Sequence, residues 1–414
     1  MIDLAELRKN PERFTQEILK KDPSFDIASL IALDIQFRQL SVEVEGLRKE
    51  KNDLAKKVQP TSGGGISDDV RNRSIEIGKQ LKEKENLLVA VEKDFSDVYL
   101  ACPNIMHDSV PFGGKLQNQE ARSVGSKAVF DFTPKDHLTL GTDLGWFDFA
   151  TAAKVTGSNF AWYKGQAVQL MYALTRMMIK NNIKHGFEPM LPPYMVNTKS
   201  LEASGQLPKF ADGVYKIEGE DLYLIPTSEV SLLNYYRDTI FESADLPRRL
   251  TSWTSCFRRE AGTYGAVERG LIRIHQFEKV ELVSFTKPED SYDELERMVA
   301  CGEDILKQLG LHYRVSLLAA QDCSFQASKT YDLEVWMPGQ GSYYEVSSAS
   351  NCTDFQSRRA KIRYRQQAGS KTEYAHTLNA SSLALPRLMV ALMETYQQKD
   401  GTINLPECLL EHGW

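Results

Sequence analysis

Residues 255–283 read S-C-F-R-R-E-A-G-T-Y-G-A-V-E-R-G-L-I-R-I-H-Q-F-E-K-V-E-L-V. Two strand-like runs flank a glycine-containing break at 261–270, which predicts two strands joined by a turn. Side chains alternate along a strand, so Arg258 and Glu260 share one face. Arg273, His275, Phe277, Lys279 and Glu281 share a face of the partner strand. Arginines, carboxylates and an aromatic ring on one sheet surface are costly unless a ligand pairs with them. The stretch reads as a binding surface built on a sheet.

Outward from it, the runs 222–226, 249–256, 271–282, 314–318 and 342–347 read as strands, and 166–181 reads as a helix. Regular crossover helices do not separate these strands, which favours an antiparallel sheet with helices packed on it over a doubly wound sheet. The fold class expected is α+β.

The first hundred residues follow a different rule. Leu33, Phe37, Leu40, Val44, Leu47, Lys51, Leu54 and Val58 alternate spacings of four and three. Val70, Ser74, Ile77, Leu81, Lys84, Leu88, Val91, Phe95 and Val98 do the same. Between them Gln59-Pro60-Thr61-Ser62-Gly63-Gly64-Gly65 cannot continue a helix. Two seams with a short break predict an antiparallel helical hairpin with its tip near 59–66. Each helix of ~30 residues would run ~45 Å. From Arg48 to Lys82 there are nine Lys/Arg against five Asp/Glu. That excess suits a finger laid along a phosphate backbone through Lys49, Lys51, Lys56, Lys57, Arg71, Arg73 and Lys79. The domains expected are 1–105 with the arm, a Pro- and Gly-rich linker over 106–156, and a globular domain over 157–414.

The 414 residues carry a formal charge of −6, which excludes a polycation coating nucleic acid but leaves room for a local basic surface. The N-terminus has no apolar leader and no run of ~18 apolar residues occurs, so a cytoplasmic protein without a membrane partner is expected. The six cysteines are scattered, with no pair at zinc spacing, and are read as reduced thiols. A GxxxxGK[ST] loop is absent, so a nucleotide site would have to use side chains.

F-R-R-E-A-G followed by R-G-L-I-R-I-H-Q-F-E-K-V-E resembles motif 2 of class II aminoacyl-tRNA synthetases, in the form seen in seryl-tRNA synthetases. G-F-E-P-M-L-P-P-Y, near 186–196, resembles motif 1, and N-A-S-S-L-A-L-P-R, near 379–390, resembles motif 3. L-I-P-T-S-E, ending at Glu229, resembles the serine-recognition loop, and Y-E-V-S-S, from Tyr344, the late ATP-binding strand. The likeness spans nearly the whole chain. Ala380, Ser382 and Pro386 depart from it, standing where the family commonly has glycine.

The resemblance implies an enzyme that activates serine with ATP and transfers it to tRNA(Ser) and, as the family permits, to the selenocysteine tRNA. It implies a homodimer through motif 1, Mg²⁺ as cofactor and no DNA partner. Arg258, Glu260 and Arg387 would be catalytic. ATP would be held by Arg258, Arg259, Glu260, Ile274, Phe277, Glu345, Val346, Ser347, Ser348 and Arg387. L-serine would meet Thr227, Ser228, Glu229, Arg258, Glu281, Asn379 and Ser381. Mg²⁺ would sit on Glu345 and Ser348, since it keeps several waters and needs few protein ligands. The alternative is a synthetase-like ligase that loads an amino acid onto a carrier protein. Such homologues lack the long hairpin and use a zinc-dependent pocket.

Overall fold

A computed structural model describes residues 1–57, 68–260 and 270–414. The expected hairpin tip and nearly all of the 261–270 turn lie outside the described residues. The chain forms two compact units, Pro23–Cys102 and Met1–Asp22 together with Pro103–Trp414.

The smaller unit is built from α1 (Ile27–Lys57) and α2 (Asp68–Leu100). Their contacts run in opposite directions along the chain. Arg48 meets Glu85 at 2.8 Å, Glu50 meets Arg73 at 2.7 Å, and Phe37 stacks on Phe95 with centroids 5.5 Å apart. The hairpin is therefore antiparallel. Of the seam residues, Leu40, Val44, Ile77, Leu81 and Val91 are buried, whereas Lys51 is exposed. Some of the basic side chains are already paired: Arg73 with Glu50, and Lys56 with Asp53 at 3.6 Å. Lys49, Lys51, Arg71 and Lys79 are exposed.

The larger unit is organised by one sheet. Its strands are β1 (Gln119–Val124), β2 (Glu188–Met190), β3 (Arg248–Phe257), β4 (Gln276–Thr286), β5 (Tyr313–Leu317), β6 (Lys329–Met337), β7 (Ser342–Asn351) and β8 (His376–Ala384). The spatial order is β1-β5-β6-β7-β8-β4-β3-β2, and every pairing is antiparallel except β2 with β3. The antiparallel expectation holds. Apart from the short β2 in the motif 1 segment, three strands of this sheet are missing from the runs read as strands. β1 lies in the stretch read as linker, where it pairs with β5 as the sheet's edge. β6 and β8 were hidden because their exposed-looking polar residues are those of the binding face.

One face of the sheet is covered by α3 (Gln166–Lys184), α5 (Ser291–Gln308) and α6 (Leu385–Tyr396). Leu170, Leu174 and Met178 from α3, Leu295 and Val299 from α5, and Leu388 and Leu392 from α6 form one core with Val280, Leu282, Leu333, Val335 and Leu378 of the strands. Fully burying each such side chain is worth about 1.5–3 kcal/mol, which fixes which sheet face turns inward. Among the described residues, no helix is long and apolar enough to cross a membrane.

Candidate active site

Because Val280 and Leu282 face the helices, Lys279 and Glu281 must face the other way. Strict alternation would then separate Glu345 from Ser348, which are three residues apart. A β-bulge reunites them. The register of β7 against β6 pairs Glu345 with Glu334 and Ser348 with Asp332, shifting between Glu345 and Ser347. Val346 is the extra residue and its side chain joins the core. A second shift, between Ser381 and Leu383 on β8, sets Ser381 opposite Glu281 and Ala384 opposite Lys279. The first bulge thus gathers Lys279, Glu281, Asp332, Glu334, Glu345, Ser348, Asn379 and Ser381 on one face, and the second keeps Ala384 on it.

Above that face lies a cavity of about 250 Å³ whose lining includes Arg258, Glu260, Ile274, Phe277, Glu345 and Arg387. β3 ends at Phe257 and β4 begins at Gln276, so Arg258, Glu260, Arg273 and His275 lie beyond the strands rather than on them. This departs from the expected strand over 271–282. The reason is local: a 3₁₀ turn over Gly270–Ile272, entered through Gly270 at φ +67°, carries the chain before pairing starts. Arg258 is nevertheless fixed. Its amide donates to the His275 carbonyl at 2.9 Å and its Nε to the Pro226 carbonyl at 3.2 Å. The guanidinium sits 5.2 Å from the centroid of the Phe277 ring. Glu260 adopts φ +49°, a conformation unusual for a residue with a side chain, and pairs with Arg273.

Arg387 is held at the opposite wall. Its Nε donates to the Ile272 carbonyl at 3.1 Å, and its Nη1 donates to the Glu345 carbonyl at 2.8 Å and the Glu345 carboxylate at 3.3 Å. Pro386 occupies the first turn of α6, where its missing N–H costs nothing. Ser382 donates to Asn182 at 3.0 Å and Ala380 is buried in the core. The departures from the motif 3 glycines are thus absorbed by packing.

Deeper lies a buried polar cluster. Lys279 pairs with Glu281 and donates to the Thr227 hydroxyl at 2.8 Å, while Thr227 donates to Glu281 at 3.2 Å. Glu229 opens α4 (Glu229–Tyr235) and accepts from Gln356 at 2.6 Å and from Asn379 at 3.2 Å. Burial, helped by the nearby Glu281 charge, pushes the Glu229 carboxyl up to about 7. Burial also raises Glu281, against the pull of Lys279.

The remaining expected residues are placed differently. Arg259 is exposed and bonds through its amide to the Gly213 carbonyl at 3.0 Å, outside the cavity lining. Val346 and Ser347 turn away, the latter donating to the Ser381 carbonyl. Ser228, between Thr227 and Glu229 in the chain, is fully buried. Lys279, Asp332 and Gln356 escaped the sequence reading as functional groups. Lys279 alone had a signal, its place on the face of Glu281.

A second cavity, of about 560 Å³, adjoins the first and is lined by Asp332, Glu334, Glu345, Ser348 and Arg387 among others. The Asp332 carboxyl is buried, has no hydrogen-bond partner at Oδ1 among the described residues, and is raised well above the usual range by burial and by the Glu345 charge. No cluster of three or more His, Cys, Asp or Glu side chains able to hold a metal gathers among the described residues, but Glu345, Ser348 and the orphaned Asp332 oxygen are the few hard oxygen donors that a magnesium ion keeping most of its waters fits.

Residues 1–106 match the seryl-tRNA synthetase N-terminal domain, and residues 214–396 match the class II tRNA synthetase core domain (G, H, P, S and T). The chain is 44% identical over 413 residues to the serine–tRNA ligase of Listeria innocua, covering 99% of this chain and 97% of that one. It is 45% identical over 412 residues to that of Nitratidesulfovibrio vulgaris, with the same coverage. Among solved structures, the seryl-tRNA synthetase of Pyrococcus horikoshii complexed with ATP superposes with a TM-score of 0.91 at 36% identity, covering 100% of this chain and 98% of that one. The cytoplasmic serine–tRNA ligase of Naegleria fowleri in complex with AMP gives 0.82 at 29% identity, covering 97% and 94%.

Proposed function

The chain belongs to the seryl-tRNA synthetase family and carries its serine–tRNA ligase activity, and from that premise we propose how its residues divide the work. The single observation behind the division is the contact between two sites. A cavity walled by Arg258, Phe277, Glu345 and Arg387 adjoins Lys279, which lines it and also touches Thr227 and Glu281. ATP occupies the cavity, and serine occupies the buried cluster.

In the first half-reaction a serine carboxylate oxygen attacks the α-phosphorus, the bond to the β-phosphate oxygen breaks, and pyrophosphate leaves. Both reactants are anionic, so approach requires fixed positive charge between them. Arg258 supplies it, offering a planar fork to the α-phosphate and the carboxylate. Phe277 stacks on adenine, Glu260 and the Ile274 backbone meet its polar edge, and Arg387 holds the far phosphate. Glu229 accepts from the serine ammonium, with Thr227 shaping the pocket. Glu281, with Asn379 and Ser381 beside it, meets the hydroxyl. A pocket that pairs with a hydroxyl rejects alanine, which would leave buried polar groups unsatisfied. Glu345 and Ser348 would hold Mg²⁺, which when bound neutralises phosphate charge. In the second half-reaction a terminal ribose hydroxyl of the tRNA attacks the seryl carbonyl and AMP leaves.

The same reading extends to the partners. The arm grips tRNA(Ser), and charging of the selenocysteine tRNA follows from the same contacts. A homodimer forms through the motif 1 segment, where Leu191 and Met195 are 80% and 51% exposed beside Pro192 and Pro193. Light scattering of a fully active monomer at micromolar concentration would reject the dimer. A cytoplasmic location belongs to the same reading. Full-length identity to serine–tRNA ligases disfavours the carrier-protein alternative. Pyrophosphate exchange driven by serine but by neither alanine nor threonine, with serine loaded onto total tRNA in preference to other labelled amino acids, is the expected result. Exchange driven equally by another amino acid would overturn the serine-pocket assignment.

A further inference from the structure

Glu229 and Asn379 hang on a stretch of chain that residues within 1–22 hold in place. Gln356 is 1% exposed and has its amide fully engaged. Its Nε2 donates to Glu229 at 2.6 Å and to the Ser204 carbonyl at 2.9 Å, while its Oε1 accepts from the Thr377 hydroxyl at 2.7 Å. Asn379 links the same carboxylate, at 3.2 Å, to the Cys352 sulfur, at 3.4 Å. Gln356 and Cys352 both lie within 352–360.

That stretch is gripped from the opposite end of the sequence. The Met1 nitrogen donates to the Phe355 carbonyl, next to Gln356. Two residues beyond Gln356, Arg358 holds Asp3 at 2.7 Å and Asp354 at 2.8 Å. Asp3 also caps the helix Leu4–Lys9, accepting from the Ala5 amide at 2.7 Å. At the end of the helix Pro11–Lys21, the buried Lys21 ammonium donates to the Ala327 carbonyl. Asn104 ties the neighbouring Gln326 carbonyl to that of Cys352, donating to each at 2.9 Å. Burial draws Lys21 down to about 8. A tether serving only to carry the arm would not need a buried ammonium, which is costly to desolvate.

We propose that Met1–Asp22 is a positioning element of the serine pocket: it braces 352–360 so that Gln356 keeps Glu229 aimed at the substrate ammonium. Asp3 and Lys21 are positioning residues that act through Gln356. The proposal rests on Glu229 being the ammonium acceptor. None of residues 1–22 or 352–360 lines the nucleotide cavity, so the effect falls on serine and spares ATP.

The test measures KM for serine and for ATP by pyrophosphate exchange without tRNA, in full-length Asp3→Ala, Asp3→Asn, Lys21→Met, Gln356→Ala and Glu229→Gln. Gln356→Ala should raise the serine KM by about tenfold or more, and Asp3→Ala and Lys21→Met by about threefold to tenfold, with the ATP KM within about twofold. Asp3→Asn keeps the cap and an acceptor for Arg358, and should stay within about twofold of the parent. An unchanged serine KM in Asp3→Ala, or equal rises in both KM values with a falling Tm, overturns the proposal; if Lys21→Met does not fold, Asp3→Ala and Asp3→Asn decide it. Glu229→Gln separates the two readings. If its serine KM rises while Asp3→Ala stays normal, only the brace fails. If its serine KM does not rise, the ammonium assignment fails first.

Discussion

The arm and the sheet-based body solve opposite problems with the same residue types. In the arm, charge is spent at the surface: Arg48 and Glu85 meet with 58% and 39% of their side chains exposed. In the body, charge is taken inside: Lys279 and Glu281 pair with 6% and 2% exposed, and each has a further partner in Thr227. Water screens the first kind of pair and makes it replaceable. The second kind persists only because each partner is hydrogen-bonded, and losing one leaves a buried charge. The proposed grip of the arm on a phosphate backbone calls for the first. The proposed discrimination of serine from alanine calls for the second.

Deleting 28–100 and closing the gap should sharpen the contrast most. On the proposed division, adenylate formation draws on groups from Thr227 onward and on the brace of Met1–Asp22, both of which this deletion leaves in place, so it should persist, measured as serine-dependent pyrophosphate exchange. Charging of tRNA should fall by ~10³-fold or more, because the phosphate contacts proposed for the arm go with it. Charging by the intact enzyme should drop steeply with added salt. Undiminished charging by the deleted form would break the division of labour. Arg258→Ala is the reciprocal case. Exchange should fall at least ~10²-fold, about 3 kcal/mol in the transition state, with the circular dichroism spectrum unchanged. Near-normal exchange would remove Arg258 from the reaction.

A smaller effect comes from pH. With its carboxyl at about 7, Glu229 is ionised above that pH, as its proposed role of ammonium acceptor requires, whereas below it a proton must leave before serine binds. The kcat/KM for serine should therefore fall by roughly tenfold from pH 8 to pH 6, while the ATP KM stays level. Glu229→Gln should flatten that profile, and a profile unchanged by the substitution would assign the titration elsewhere. The smallest effect belongs to the arm. Arg48→Met should cost less than about 1 kcal/mol by denaturant unfolding, since its pair with Glu85 is solvated.

The candidate site was legible unevenly. Arg258, Glu260, Phe277 and Arg387 were recognised from contiguous motifs, and they line one cavity. Arg259 sits in the same motif, yet its side chain is outside that lining. Gln356 gave no signal, because its role is a contact with Glu229 across 127 residues. Asp332 gave none either, since a carboxylate inside a strand reads as solvated until the neighbouring strand is known.

The arm is the part that sequence alone determined. A heptad seam is a local periodicity, and two such seams with a glycine-rich break admit few arrangements besides an antiparallel hairpin. Sequence alone also set the antiparallel class of the sheet and its strong motifs. Tertiary structure decided the strand order, the edge strand drawn from 119–124, and above all the two bulges. Period-two alternation puts Glu345 and Ser348 on opposite faces. Whether an extra residue is accommodated at Val346 depends on how β6, β7 and the helices pack, with Val346 buried in their core. That balance is struck among side chains far apart in the chain, so no local rule contains it.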